Sequence, residues 1–514
     1  MGSRMSLSSA EQVVEFLSGS GLAPLRDFLV RQRWFAAKAR GLRTVEIEDW
    51  AALEADRPAL LLLLRLDGER YYVPLSVCPA ASSTPVTRVA RVGDQAIVDA
   101  HGDLTFMRPL LGAMAAHREL EGRRGSFECR SCGPVGSAEG WGGGLRDAVR
   151  ISGEQSNTSV VLDRTLILKS IRRPPPGINP DVEILNFLAS RTGFGQVPPL
   201  AGWIEYVGAW GHRATVAVLQ GFVENVGDGW RYVLAGLEEL CNALERPQVR
   251  GAADRTEGWI VTLAGPLIRD VRKLGMVTGG LHAALASDAH WPTFRPEPVT
   301  YEDVGRWCAR IARELEALAF DTAAVASTPG LEMIREALRR SGGRIDSAVA
   351  DVSLLGSSHT HKIRCHGDYH LGQVLKTADG FAILDFEGEP ARSLEERSGK
   401  QPPLRDVAGM LRSLSYAVHA VARRRQPERR AETLCSLIDW EGHARQAFLE
   451  GYGASVGESP VRLVPVSESE LARVCAAFEL EKACYELRYE LDNRPDWAPI
   501  PADGILHLLE SARS

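Results

Sequence analysis

The sequence carries no excess of positive charge. Its 60 Lys and Arg face 66 Asp and Glu, a formal net charge of −6, which gives no general attraction to nucleic acid or to an anionic membrane. The basic run Arg423 to Arg425, with Arg429 and Arg430, reads as solvation of a helix end. Long apolar runs are missing as well. Leu60 to Leu64 is far too short to span a bilayer, and MGSRMSLSSAEQ has no apolar core for a signal peptide. A cytoplasmic protein with neither a nucleic-acid nor a membrane partner is expected. The nine cysteines are odd in number and scattered, which is not a disulfide framework. Cys129-x-x-Cys132 has the spacing of half a zinc site, but no second pair or Cys/His partner sits at a suitable distance in sequence. No internal repeat is present. A P-loop is missing too: the glycine-dense stretch Gly133 to Gly144 lacks the Gly-Lys-Ser/Thr ending and a strand-to-helix context, and reads as a surface connection.

What remains is an ordinary globular chain of 514 residues, 45% hydrophobic and 25% charged, long enough for two or three domains with substantial cores. Residues 11 to 33 show helical apolar spacing interrupted by Gly19-Ser-Gly21, hence two short helices. Leu60 to Leu66, the Asp67-Gly68 turn and Tyr71 to Leu75 form a hairpin signature. A small α+β module of roughly the first ninety residues is expected, closed by the loop Pro79 to Pro85.

Five carboxylates, two histidines and a glutamine concentrate in IRCHGDYHLGQVLKTADGFAILDFEGEP, Ile363 to Pro390. Val374-Leu375 and Phe381 to Leu384 are apolar runs joined by a glycine-containing connection, which predicts a β-hairpin bringing Gln373 near Asp385. Asp368 precedes it in a loop where Gly367 permits a tight path. Phosphoryl transfer needs a carboxylate to take the acceptor hydroxyl's proton and oxygen ligands for Mg2+ on the nucleotide. Asp368 fits the first role; Gln373, five residues on, and Asp385 fit the second. Gln in place of the kinase Asn is one methylene longer but keeps a hard oxygen. Glu387, two residues on along the same strand face, is open to a metal contact, a substrate contact or plain exposure. A zinc-hydrolase reading through His366, His370 and Asp385 is weakened because Gly367 and Gly372 oppose the helix that would align the histidines.

A phosphate loop is expected upstream. Asp147 to Ile151 and Thr158 to Leu162 are strand-like and flank a segment of small and hydroxyl residues ending in Ser156 and Asn157, whose amides and hydroxyls, with Thr158, suit a phosphate. The next strand, Leu166 to Ile171, carries one cation, Lys169, suited to the α- and β-phosphates of ATP. Asn179-Pro180 opens a helix that places Glu183 one turn in, as the partner of Lys169, with Asp181 as the competing candidate. Gln220 to Val223 reads as the passage to a second lobe, with adenine against Gln220 and Val223. From Trp230 the chain is helical, at 231 to 246, 260 to 286, 301 to 319 and 330 to 342, and again from Leu404 to Leu509. Near the end Glu481, Tyr485 and Tyr489 recur along one helical face. Tyr489 and Trp497, with Glu389, are the candidate cradle for an acceptor sugar, against the alternative that these aromatic residues pack the lobe.

These residues, in this order, resemble the aminoglycoside-phosphotransferase branch of the protein-kinase-like fold, with His-Gly-Asp in place of His-Arg-Asp. More narrowly, the blocks RQRWFAAKAR, GEQSNTSVVLD, LILKSIRRPPPGINPDVE, HGDYHLGQVL, DFEGEP, PLRDVAGMLRS and EKACYELRYELDNRPDWAPIP resemble the bacterial maltokinases, including those fused to trehalose synthase. Ala37 and Ala39 stand where such proteins often have glycine. The resemblance implies an α+β, bilobal protein-kinase-like fold: a cap subdomain at 1–90, an N-lobe with mixed sheet at 91–224, and a mainly helical C-lobe at 225–514. It implies an ATP- and Mg2+-dependent kinase making maltose 1-phosphate for α-glucan and trehalose metabolism, with possible association with trehalose synthase. Related enzymes with the same DFEGEP block act on glucosamine and other sugars, so glucosamine, another sugar or an aminoglycoside is the alternative acceptor; a pseudokinase is the remaining alternative.

Overall fold

The structure, a computed structural model, describes residues 6–35, 41–82, 86–132, 144–151, 157–245, 258–320, 336, 346–347, 349–390 and 392–511. Residues 152–156 of the expected phosphate loop, Ser156 among them, Ala37 and Ala39, nearly all of the glycine-dense stretch and most of the helix expected at 330 to 342 lie outside the described residues. The chain forms two compact units, Met1–Ala189 with Pro198–Val223, and Ser190–Val197 with Glu224–Ser514.

The first unit is sheet-rich. Helices α1 (Ala10–Ser18) and α2 (Leu22–Arg31) precede the strands β1 (Val45–Leu53), β2 (Ala59–Leu66), β3 (Glu69–Tyr72), β4 (Leu75–Pro79), β5 (Arg88–Val92) and β6 (Gln95–Asp99) of an antiparallel sheet ordered β1-β2-β4-β6-β5, with β3 on β2. The β2–β3 turn is Asp67-Gly68, at φ 49° and 90°, the paired left-handed residues that a two-residue hairpin requires. β6 pairs with both β4 and β5, so this sheet runs on to Asp99. Alternate residues of a strand face opposite sides, and both sides of β2 are covered. Leu60, Leu62 and Leu64 join Val13, Leu25 and Trp34 in one core; Leu61 and Leu63 join Phe106, Leu110, Phe127 and Val160 in another. This double burial is why β2 reads as an unbroken leucine run.

After α3 (Leu104–Ala115), a second sheet is built from β7 (Glu119–Glu121), β8 (Gly125–Ser131), β9 (Ala148–Arg150), β10 (Asn157–Leu162), β11 (Leu166–Ile171), β12 (Leu200–Gly208) and β13 (Arg213–Gly221), in the order β7-β8-β12-β13-β11-β10-β9. Just past β11, Arg172 is wholly buried. Its guanidinium reaches Asp99 Oδ2 at 2.6 Å and Thr158 Oγ1 at 2.8 Å, and lies over the Trp34 ring at 4.8 Å from the centroid. A buried charge persists only when paired in this way, so Arg172 ties the first sheet to the second.

In the second unit the longer helices are α5 (Gly229–Leu244), α6 (Gly258–Leu285), α7 (Tyr301–Phe320), α8 (Leu404–Arg423), α9 (Pro427–Val456), α10 (Glu468–Asn493) and α11 (Pro499–Ser511); α4 (Pro180–Arg191) belongs mainly to the first unit. α6 and α9 touch backbone to backbone: a Cβ on Gly275 would lie 2.0 Å from Phe448 O, and one on Gly451 2.1 Å from Arg272 O. Between α7 and α8 runs a hairpin, β14 (Val374–Lys376) and β15 (Phe381–Ile383), antiparallel and in register from Val374 opposite Ile383. The α+β class expected from the sequence is the one found, with the two large sheets in the first unit and most of the helices in the second.

Candidate active site

The hairpin brings Gln373 and Asp385 together. The Leu384 N–H donates to Gln373 O at 2.9 Å, continuing the ladder past β15, and Gln373 Nε2 donates to Asp385 Oδ2 at 3.1 Å. Asp385 itself sits at φ 63°, in the left-handed region that Asp enters more readily than most residues. Gly388 follows at φ 72°. The left-handed step turns the chain off the pleat after Ile383, so Glu387 is not on a strand face shared with Asp385, as its spacing had suggested; Glu387 O instead accepts from Arg397 Nη1 at 3.0 Å.

The loop that carries Asp368 is held from below by α8. Asp406 is 2% exposed, and its carboxylate accepts the N–H of His366 at 2.7 Å and of Gly367 at 2.9 Å, with His282 Nε2 at 3.2 Å. Burial pushes the Asp406 carboxyl up, but the His282 bond and charge, with His366, outweigh it and hold the group below its ordinary range. Gly367 has φ 84°, which a side chain would oppose. One turn further along α8, a Cβ on Gly409 would lie 2.5 Å from Tyr369 O.

His366 clamps this loop to the segment that carries Asp385. Its Nε2 donates to Leu384 O at 2.7 Å, its Nδ1 accepts from Asp368 N at 3.3 Å, and its ring packs on Tyr369 and Phe386. Both ring nitrogens are thereby used, which removes His366 from any zinc site. His370 Nδ1 accepts from Gly372 N at 3.0 Å, and burial holds its imidazole below the ordinary pKa. Among the described residues no group of three His, Cys, Asp or Glu side chains gathers as a metal cage. Mg2+ needs none: one or two carboxylates suffice when nucleotide phosphates and water complete the octahedron. Asp385 and Gln373 offer hard oxygen donors on adjacent positions of one hairpin, so the donor set suits that ion.

Asp368 opens into a cavity lined also by Glu389, Lys482, Tyr485, Arg310 and Glu481. Lys482 Nζ bridges Asp368 Oδ1 at 3.2 Å and Glu389 Oε1 at 3.0 Å, and lies 5.0 Å from the Tyr485 ring centroid. Burial works against the Lys482 charge, yet Asp368 and Glu389 outweigh it and raise the ammonium above its ordinary pKa. Glu389 is likewise pushed up by burial and pulled down further by Lys482 and Arg392, to about 2. Arg392 bonds its other oxygen, and Arg310 is 4.0 Å from it. Glu481 pairs with Arg405 and with Arg310 Nε at 2.7 Å.

Tyr489 and Trp497 take part in a different cluster. Trp497 stacks on Tyr416 at 6.5 Å and 7°, and Arg494 lies over both Trp497 and Tyr489. Tyr489 is 46% exposed.

In the first unit, Lys169 and its opposite number Ser159 lie on β11 and β10. Lys169 Nζ is 4.0 Å from Asp181 Oδ2, the alternative weighed against Glu183, and Gln220 Nε2 donates to the same Asp181 oxygen at 3.0 Å. The Gln220 side chain therefore faces the lysine cluster. Glu183 is half-buried on the next positions of α4, and Val223 is half-buried beyond β13. Asn157 and Thr158 are buried at the start of β10, with Thr158 Oγ1 committed to Arg172.

Sequence reasoning did not single out Lys482, Asp406, Arg310 or Arg405. A signal for the first existed: a lysine beside Glu481, one turn before Tyr485.

Residues 28–103 match the maltokinase N-terminal cap domain. Over 360 residues the chain is 26% identical to a glucosamine kinase of Streptacidiphilus jiangxiensis, covering 69% of this chain and 72% of the relative. A glucosamine kinase of Mycolicibacterium smegmatis is 25% identical over 364 residues, 71% of this chain and 80% of the relative. Among solved structures, a glucosamine kinase in complex with glucosamine, ADP and inorganic phosphate superimposes with a TM-score of 0.63 at 21% identity, over 91% of this chain and 94% of that one. The chain thus resembles the maltokinases in its cap segment and the glucosamine kinases over most of its length and in fold.

Proposed function

We propose that the protein is an ATP-dependent sugar kinase that transfers the γ-phosphate to the anomeric hydroxyl of maltose, giving maltose 1-phosphate. The observation that carries the reading is the geometry around Asp368: a carboxylate facing a cavity, on a loop fixed through two backbone amides to a buried aspartate, with Gln373 and Asp385 paired on the hairpin that follows. Phosphoryl transfer is mainly positioning and charge stabilisation, and these residues supply both. Asp368 accepts the proton of the acceptor hydroxyl as its oxygen attacks phosphorus. Asp385 and Gln373 would hold Mg2+, which when bound would supply charge neutralisation for the nucleotide phosphates. Lys169, kept extended by a carboxylate on α4, contacts the nucleotide phosphates, and Ser156, Asn157 and Thr158 cap them. Glu183, Gln220 and Val223 complete the nucleotide side; Glu387, Glu389, Tyr489 and Trp497 are assigned to the acceptor. The domain reading is a cap at 1–90, an N-lobe at 91–224 and a C-lobe at 225–514, in a cytoplasmic enzyme that associates with trehalose synthase.

Maltose is favoured by the match of residues 28–103 to the maltokinase cap. Glucosamine is the second reading, favoured by the names of the relatives. ADP release is measured with maltose, glucose, glucosamine, trehalose and an aminoglycoside. Preferred turnover of maltose, with a product that has lost its reducing end, is the expected result. Turnover of glucosamine alone transfers the assignment to the second reading, and release with none of these sugars defeats both.

A further inference from the structure

Two carboxylates of the acceptor cavity, Asp368 and Glu389, already share an internal ammonium. Lys482 Nζ lies 3.2 Å from the first and 3.0 Å from the second. Glu389 is also bonded by Arg392 and lies 4.0 Å from Arg310, while Glu481 is taken by Arg310 and Arg405. We infer that Lys482 selects a neutral sugar: it fills the place that the ammonium of an amino sugar needs, and it directs the acceptor hydroxyl onto Asp368. This rests on the sugar-kinase reading and narrows its substrate class.

An amino sugar brings a cation, and a cation gains from a cavity only where a carboxylate lacks a partner. Here a second ammonium beside Asp368 or Glu389 lies next to Lys482 as well, and like charges at that range repel strongly in a partly dry cavity. A hydroxyl meets no such conflict. A lysine ammonium has three N–H donors, and the two carboxylates account for two of them. The third suits an acceptor oxygen, whose own hydrogen then points at Asp368. The Tyr485 ring beside Nζ adds an apolar face suited to a sugar ring. During transfer the hydroxyl hydrogen passes to Asp368, the acceptor oxygen bonds to the γ-phosphorus of ATP, and the bond from that phosphorus to the β-phosphate oxygen breaks to release ADP, so Lys482 keeps all its protons and serves to orient.

The test compares kcat/KM for glucose, glucosamine and maltose at a pH where the amine is protonated, in the wild type, Lys482→Gln and Lys482→Arg. The wild type is expected to favour the neutral sugars at least tenfold. Lys482→Gln should lose turnover on every sugar and narrow or reverse the glucose-to-glucosamine ratio by tenfold or more, whereas Lys482→Arg should keep the neutral preference because the cation remains. A wild type that prefers glucosamine, or a ratio unmoved in Lys482→Gln, overturns the inference and leaves the kinase reading intact. If Lys482→Gln does not fold, the wild-type ratio and the Arg variant decide, and a preference for glucosamine in either overturns it. If no sugar is phosphorylated at all, the kinase reading falls, and calorimetric titration judges the inference: maltose binding more tightly than glucosamine supports it, while the reverse order, or no binding of either, overturns it.

Discussion

Gln373 and Asp385 touch across the open end of one hairpin, away from its turn, Nε2 to Oδ2 at 3.1 Å, and Asp385 does so from a left-handed backbone at φ 63°. The strained conformation and the contact belong together, because the step off the strand is what swings the carboxylate towards the glutamine. Such conformations cost about 1 to 3 kcal/mol and persist where the surroundings hold them.

Asparagine tolerates the same backbone, so Asp385→Asn separates charge from conformation. It is expected to keep the melting temperature within a few degrees while raising the Mg2+ concentration for half-maximal turnover at least tenfold. An unchanged Mg2+ requirement removes Asp385 from the metal. Asp385→Ala should in addition lower the melting temperature, since alanine gains nothing from the left-handed region.

Asp368→Asn keeps size and loses the proton acceptor. Turnover should fall about a hundredfold or more, with nucleotide affinity, read by titration with ATP, little changed. Activity within tenfold of the wild type takes the proton-accepting role away from Asp368.

Asp406 tests how far the loop depends on α8. Asp406→Ala leaves the His366 and Gly367 amides buried without acceptors, at about 1 to 3 kcal/mol for each unsatisfied group, so both melting temperature and kcat should drop. Gly409→Ala acts on the same loop by a different route. Its methyl would sit 2.5 Å from Tyr369 O, and the displacement passes to the neighbouring Asp368. That variant should lose kcat more than ATP affinity. Full activity in Gly409→Ala means that the loop yields without moving Asp368.

The hairpin, the lysine strand and the helical second unit were legible because each depends on a local pattern: apolar runs around a glycine-containing turn, one cation in an apolar strand, a 3.6-residue period. Four features were not. α10 buries Glu479, Glu481 and Glu490, and periodicity counts such residues as solvated; each is buried because a partner distant in sequence, Arg445, Arg405 or Tyr416, meets it. Lys482 is hidden for the same reason. The left-handed turn at Asp385 leaves no mark either, since the sequence Leu-Asp-Phe-Glu fits a continuing strand equally well. Gln220 sits near the end of β13, as its position in the sequence indicates, but the direction of its amide, towards Asp181, depends on packing.

His101 makes the first unit sensitive to acid. Burial, and then the Arg172 charge, hold its imidazole at about 4 against an ordinary 6.5, with Nδ1 on Asp99 and 2.9 Å from Arg172 Nη2. The native state therefore keeps His101 neutral. The unfolded chain binds a proton that the folded chain refuses between pH 6.5 and about 4, so stability is complete above 6.5 and declines as pH falls through that window, by on the order of 3 kcal/mol at its lower end. His101→Gln should start from a lower melting temperature at pH 7 but fall less steeply towards pH 4.5. Equal slopes in the two proteins mean that another group carries the acid response.

Two carboxylates compete for Lys169, and they can be separated because they occupy different positions on α4. Asp181 is 1% exposed, 4.0 Å from Nζ, and also accepts from Gln220; Glu183 is half-buried two residues on. Lys169→Ala should raise the ATP KM at least tenfold and lower kcat, with the fold retained, because a strand lysine adds little to a core of this size. If Asp181 is what holds the lysine extended, Asp181→Asn should reproduce much of that loss, while Glu183→Gln stays within threefold of the wild type. The reverse ranking assigns the pairing to Glu183, as the order of residues in the sequence first suggested. Combining each with Lys169→Ala gives the decisive comparison: the carboxylate that acts through the lysine should add no further loss of ATP affinity once the lysine is gone, whereas a carboxylate with a separate role should add its full effect.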